Sequence, residues 1–459
     1  MVEETIFSHQ ITHTNNKDTT DVEETKSPVE ASLGVSEKWD AQEAGREVAE
    51  TAIRDLTRPP DFFLLFSTIH YEKYGGFQEF LNGVWDVLPK GTPLVGGTVV
   101  GFMNNYGCYT HGTTALAVSC PEMDVTIGYG RNTKRSPKKA ARQCAEMVRM
   151  SFKKSKYKNK FLLNLVSGPE VPSIPGVGRK KIIKSGLISN FAMQAFGLSQ
   201  TLFQKGVGRE DEIFEELVKE LPDFHMVLGT SVDDYKGISN YLFFNHEILT
   251  NHVVSLGLST DLNLDVYTTH GMKETDIKFE ITKLSRNKHI IHKINNKPAV
   301  PELYKLLDWP EEFLNEKTMM HRILYYPISL KRHGREMPAV MTIILKNSIV
   351  TPCMVDKDEV SILTVNGKNL VHAIEENLEY FAGIDPLFCL CSACLTIPQT
   401  LGYKINMINQ NMANYFKDKP YLIFWCAGEG TYSPTKDIIY ANMSYNTAIF
   451  GLNKGKIGV

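Results

Sequence analysis

No apolar run in this sequence approaches the roughly 18 residues needed to span a bilayer, and the amino terminus has no basic segment followed by an apolar one. A cytoplasmic location is therefore expected, with no membrane partner. Cysteine is scarce, with eight in 459 residues, three of them within 389–394. That is too few and too uneven for a disulfide scaffold, so reduced thiols are expected. Neither sign of charge dominates: Lys and Arg total 50, Asp and Glu total 52, and the net charge is -2. Such a balance offers no general attraction for phosphate backbones, and nucleic acid is discounted as a partner. Positive charge gathers only locally, at 153–160 and 179–184. Assembled reaction motifs are missing too. There is no G-x-S-x-G elbow, HExxH pair or kinase set, and Gly176-Val-Gly-Arg-Lys-Lys lacks the spacing of a phosphate loop.

What is present is an ordinary globular composition, 42% hydrophobic and 22% charged. The length exceeds what one hydrophobic core normally serves, so two domains are expected. Residues 1–32 are polar and without apolar period, and read as a flexible tail. A helix follows over 39–56, where Ala41, Ala44, Val48, Ala52 and Leu56 repeat every three to four residues behind Asp40 as a cap. Pro59 and Pro60 stop it.

From there one series of elements occurs twice. A helix near 77–88 ends at Leu88-Pro89 and leads to Gly96-Gly97-Thr98. A second helix, 213–221, ends at Leu221-Pro222 and leads to Gly229-Thr230-Ser231. The Gly lies eight residues after the Leu in both, and Thr98 and Val99 match Ser231 and Val232. Each copy continues into β-type runs, 113–118 with 124–129 in the first and 241–244 with 253–258 in the second. The second also carries a long stretch, 168–208, rich in Pro, Gly, Lys and Ser, which is a functional loop or a mobile one. The fold class is mixed α/β, with two duplicated α-β-α-β units over 33–265 and connecting strands at 266–297. After 298 helices at 301–307, 370–381 and 405–415 alternate with strands at 340–345, 387–395, 421–425 and 445–450, a second mixed α/β domain.

Glycine at a strand end allows close backbone approach, and strand ends of open α/β sheets are common binding places. If the two units pack as equivalents, both turns face one cleft. The alternative is that these glycines only permit tight turns. Asp233 and Asp234 could hold a ligand amino group, a metal or a proton, or could simply cap a solvated loop. His270 and His111 are each followed by Gly, and each reads either as a ligand or as a structural imidazole. Cys389, Cys391, Cys394 and Cys426 lie in apolar runs without a second close pair, which fits buried free thiols rather than a metal centre.

Taken in order, these motifs resemble the FIST family, with its FIST N and FIST C domains. The resemblance rests on Trp39-Asp40, Pro93-Leu-Val-Gly-Gly-Thr98, Val227-Leu-Gly-Thr230 with Asp233-Asp234, and Thr268-Thr-His270-Gly271. It continues through Phe279-Glu-Ile-Thr282, Pro298 to Tyr304, Cys391-Ser-Ala-Cys394, Gly428-Glu429 and Asn446-Thr447, and covers nearly all of the chain after residue 33. It implies an intracellular, cytoplasmic sensor, here a stand-alone prokaryotic one, that binds a small polar ligand of amino-acid type and signals through a protein partner. No F-box-like block precedes residue 33. The implied ligand-binding set is Gly96, Gly97, Thr98, Gly229, Thr230, Ser231, Asp233, Asp234, His270 and Cys394, with Glu429 and Asn446 from the second domain. Some family members resemble haem-bearing nitric oxide sensors, which makes haem a possible cofactor, with His270, His111 or a Cys as axial ligand. A scaffold using 168–208 to recruit partners is a further reading. An enzyme using Asp233, His270 and Cys394 is disfavoured, and no catalytic residue or metal is expected. Two features depart from the family pattern: Leu395-Thr-Ile-Pro stands where an Arg commonly follows the Cys, and Gly430 where a bulky residue follows Gly-Glu.

Overall fold

The computed structural model describes residues 29–453 apart from 172, 174–177, 186, 187, 189–203, 207, 314, 316–321, 333 and 334. The expected tail up to residue 28 and much of the 168–208 stretch lie outside the described residues. Strand β1 (Glu30–Ser36) begins inside the segment read as a tail. It has few β-branched residues, and only its continuous antiparallel pairing with a distant strand, from Glu30↔Ser119 to Ser36↔Thr113, makes it one.

Three stretches of chain follow one plan: leading strand, helix, strand, helix, strand, hairpin, closing strand. In the first, β1 leads to α1 (Ala41–Ile53), β2 (Phe62–Ser67), α2 (Phe77–Trp85), β3 (Leu94–Thr98), the hairpin β4 (Gly101–Asn104) and β5 (Gly107–Tyr109), then β6 (Thr113–Ser119). As its sequence predicts, α1 is capped by Asp40, whose Oδ1 accepts from the Glu43 amide at 2.9 Å. The second comprises β7 (Met123–Arg131), α3 (Pro137–Ser151), β8 (Asn159–Ser167), the short β9 (Ile182–Ile183) and α4 (Glu210–Glu220). It closes with β10 (His225–Ser231), the hairpin β11 (Leu242–Phe244) and β12 (Glu247–Leu249), and β13 (His252–Thr260).

The third starts with β14 (Asn263–His270) and then carries an insertion of β15 (Met272–Leu284), β16 (Ile290–Ile294), β17 (Lys297–Pro298), α5 (Ala299–Leu306), β18 (Ile328–Arg332), β19 (Arg335–Ala339), β20 (Ile343–Leu345), β21 (Ser348–Val350) and β22 (Glu359–Val365). The plan resumes with α6 (Gly367–Tyr380), β23 (Ile384–Cys394), α7 (Thr396–Leu401), α8 (Ile405–Phe416) and β24 (Tyr421–Cys426). The hairpin β25 (Glu429–Ser433) and β26 (Lys436–Ala441) and the closing β27 (Ser444–Asn453) complete it. Mixed α/β, the class expected from the sequence, is what is found.

Each unit builds a six-stranded sheet, but its outer hairpin comes from another unit. The orders are β1-β6-β2-β3-β11-β12, then β7-β13-β8-β10-β25-β26, then β14-β27-β23-β24-β4-β5. The first sheet thus receives the hairpin of the second unit, the second that of the third, and the third that of the first. The exchange closes a ring. Registers show how well the copies correspond: Ser67 pairs with Thr98, Ser167 with Ser231, and Cys394 with Cys426. Gly96 lies opposite Leu65 and Gly229 opposite Leu165, so the eight-residue spacing seen in sequence is a structural register. In the third copy Phe424 stands two residues before Cys426, at the glycine position.

The central strands are buried on both faces, as strands under helices must be. Phe62, Leu64 and Phe66 of β2, Phe161, Leu163 and Leu165 of β8, and Phe388 and Leu390 of β23 turn inward to one core shared by all three units. The alternate residues face helices instead, Phe63 and Leu65 meeting α1 and α2, and Cys389, Cys391 and Ala393 meeting α6 and α8. The inserted strands form a nine-stranded sheet joined by β9 of the second unit, where Ile344 pairs with Ile182. Its apolar face, with Ile281, Ile291 and Ile362, is continuous with Ile213, Phe214 and Leu217 of α4. Among the described residues no helix is long and apolar enough to cross a membrane.

Candidate functional site

The two Gly-Thr turns do meet. The Val232 amide donates to the Thr98 carbonyl at 2.9 Å, and Thr98 Oγ1 accepts from the Tyr241 amide at 3.1 Å. Ser231 Oγ donates to Asn240 Oδ1 at 3.0 Å, and a Cβ on Gly97 would lie 3.5 Å from that of Ser231. A Cβ on Gly96 would stand 1.7 Å from the Leu65 carbonyl oxygen, and one on Gly229 2.5 Å from the Phe424 ring. These glycines make room for the protein itself. Phe66, Leu165, Leu242 and Phe424 close the seam, and the Phe66 and Phe424 rings stack with centroids 4.3 Å apart.

Open space lies beyond the turns. A cavity of about 280 Å³ sits past the carboxyl ends of β10 and β23, between the second unit, the third unit and the inserted sheet. Val232 and Asp233 reach it from β10, Cys394, Leu395 and Thr396 from β23, and Ala427 and Gly428 from the turn after β24. Pro169 and Val171 supply a wall from the loop after β8, and Val340, Thr342 and Ile343 one from the inserted sheet. Gln399, Asn442 and Glu210 bring polar groups to this otherwise largely apolar surface, and no histidine is among its described lining residues.

Glu210 is the first residue of α4 and is 1% exposed. Burial, reinforced by the neighbouring Asp211, pushes its carboxyl up to about 8. Tyr440 Oη donates to Oε1 at 3.2 Å, while Oε2 has no hydrogen-bond partner. Gly428 has φ +69°, and a Cβ there would lie 2.7 Å from Glu210 Oε1 and from Tyr440 Oη. Only glycine suits both that conformation and that space. Thr230 fixes the same turn, its Oγ1 donating to the Gly428 carbonyl at 2.8 Å.

Behind the wall lies Glu429, fully buried, with no hydrogen bond of ordinary geometry to either carboxyl oxygen. Burial holds its carboxyl well above the usual range, against the opposing effect of the Cys394 thiol. The Cys394 thiol is itself raised by burial and by Glu429, and its Sγ lies 3.1 Å from Thr396 Oγ1. Burial likewise pushes Cys391 up to about 12. None of the eight cysteines is in a disulfide.

The remaining expected residues are placed differently. Asp233 borders the cavity, yet its carboxylate is already occupied: Oδ1 accepts from the amides of Lys236 (2.9 Å) and Gly237 (2.8 Å), and Oδ2 from that of Ile238 (2.6 Å). It holds the loop that carries Tyr235 and Gly237 to the cavity. Asp234 is at the surface, paired with Lys236 at 2.7 Å. His270 ends β14, where its Nε2 lies 2.9 Å from the Glu336 carbonyl oxygen. Asn446 is buried, accepting from Thr268 Oγ1 at 2.8 Å and donating to the Ser392 carbonyl at 3.2 Å.

Two features escaped the sequence. Glu210 lies in the acidic run Glu210-Asp211-Glu212, which reads as ordinary helix-start acids. Lys134, wholly buried, pairs with Glu170 at 3.2 Å just after Pro169 in the cavity wall, and nothing in its local sequence marks it as internal.

No curated protein matches the chain. Among solved structures, cyanuric acid hydrolase from A. caulinodans aligns at 7% identity and TM-score 0.27, over 51% of this chain and 72% of the hydrolase. PurLQS from Thermotoga maritima aligns at 11% identity and TM-score 0.19, over 93% of this chain and 73% of that one. A model of the FIST N domain matches residues 61–297, just over half of the 459 residues, and the chain therefore belongs to the FIST N domain family.

Proposed function

We propose that this chain is a sensory protein that binds a small molecule in the cavity beyond β10 and β23 and signals through a protein partner, without catalysing a reaction. The observation that carries the reading is Glu210 Oε2, a buried carboxyl oxygen without a partner on the wall of a cavity. Buried polar atoms are nearly always satisfied, and an unsatisfied one beside open space is what a polar group of a ligand completes. The volume is near the lower end for ligand sites, which suits a molecule of amino-acid size. The mostly apolar wall narrows the expected polar ligand to one with an apolar body and a hydrogen-bonding group for Glu210. No histidine is among the described lining residues, and burial keeps the Cys394 thiol protonated, which together favour an organic ligand over haem.

The thiols support the non-catalytic reading. A nucleophilic cysteine needs a lowered pKa, and burial drives Cys391 and Cys394 the other way. Because second unit, third unit and insertion all contribute walls, a bound ligand stabilises one arrangement of the three over others, which is how occupancy would reach a partner. A thermal-shift screen of apolar amino acids and small amines tests the proposal. A ligand at 100 times its Kd should add about 2.7 kcal/mol of stability to the wild type. No response from any compound in that class would contradict it.

A further inference from the structure

A second set of polar groups lies at the start of α4, beginning one residue after Glu210, where that helix meets the inserted sheet. Asp211, Glu212 and His289 each present a ligand atom, and these atoms lie within 4.8 Å of one another. Asp211 is 1% and His289 4% exposed. His289 Nδ1 is 3.2 Å from the Thr351 carbonyl oxygen. A carbonyl only accepts, so Nδ1 carries a proton, and in the neutral imidazole Nε2 then presents a lone pair. That Nε2 is buried and has no hydrogen-bond partner, and the imidazole lies beside both carboxylates.

A buried imidazole lone pair without a partner beside two anionic groups is unfavourable unless a cation, a proton or a metal ion, lies between them. We propose that Asp211, Glu212 and His289 bind a divalent transition-metal ion of the zinc class. One imidazole and two carboxylates are a donor set for such an ion, with water in the remaining position. Each ligand also has the outer partner that fixes a ligating group. Thr351 sets the tautomer of His289. The Met354 amide donates to Asp211 Oδ2 at 2.7 Å. Arg209 grips Glu212 with Nε at 2.6 Å and Nη2 at 2.7 Å, one hydrogen bond to each carboxylate oxygen, leaving each a further lone pair. The ion ties α4 of the second unit to the loop before β16, and so fixes the insertion against the body one residue away from Glu210. This site is independent of the ligand proposal.

The test uses the full chain, stripped with chelator and titrated with Zn²⁺ by calorimetry. One ion per chain is expected, with a 10- to 100-fold affinity loss in His289→Gln and in Asp211→Asn. His372→Gln should bind as the wild type does. That imidazole forms an exposed cluster with Glu375 and Glu376, at 3.1 and 3.3 Å, and is the natural competing site. Absence of binding overturns the proposal, as does binding lost in His372→Gln but kept in the other two variants. Circular dichroism in chelator checks folding. If either variant fails to fold, the imidazole ¹⁵N resonances of the wild type decide: a shift of His289 Nε2 on adding one equivalent of Zn²⁺ supports the site, and an unmoved resonance overturns it.

Discussion

At the scale of single residues, the cavity wall is built around groups that burial keeps neutral. Glu429 carries a clear pH signature. Its folded-state pKa is raised, so its protonated form contributes stability that is fully present below the unfolded carboxyl value of 4.5 and is lost as pH rises through the folded value. Glu429→Gln removes that loss. The variant should be more stable than the wild type at pH 8 by about 1 kcal/mol or more, since a tenfold change in proton affinity between folded and unfolded chains is worth about 1.36 kcal/mol. At pH 4 the two should nearly coincide, and urea midpoints at both values check this. Gly428→Ala should destabilise by about 1–3 kcal/mol, because φ +69° and contacts at 2.7 Å oppose any Cβ. Asp233 was legible as a loop residue from its place after a strand. Glu210 was not, because acids at a helix start look alike whether they face water or a cavity.

At the scale of elements, the helices with clear apolar stripes and the runs of β-branched and aromatic residues were readable. α1, with its Asp40 cap, and β2 lie where the sequence puts them. The weak points were β1 and hairpins such as β4 and β5, short strands that join a sheet only because β4 pairs with β24, outside its own unit. The Gly-Thr turns converge as expected, but on a filled seam. Phe424 occupies the space left by Gly229 and stacks on Phe66. Phe424→Ala should therefore cost about 3–5 kcal/mol, measured by chemical denaturation, whereas a loss below about 1 kcal/mol would mean that the seam packs loosely.

At the scale of the molecule, the sequence showed two copies where the structure has three. The third was hidden by physical substitutions: Phe424 and Cys426 replace the Gly and hydroxyl of the other turns, and a sheet-forming insertion separates β14 from α6. The ring of exchanged hairpins makes each unit depend on the others. A fragment of residues 29–261 leaves β4 without β24 and β10 without β25. It should fail to give a monomeric, cooperatively melting species in sedimentation and calorimetry. The cavity too exists only where second unit, third unit and insertion meet, which is why no local motif announced it. Filling that cavity puts its sensory role to the test. Calorimetric titration of the best compound from the screen should give at least a tenfold higher Kd for Val340→Trp than for the wild type, with the variant still folded. An unchanged Kd in folded Val340→Trp would contradict the claim that this cavity is the sensory site.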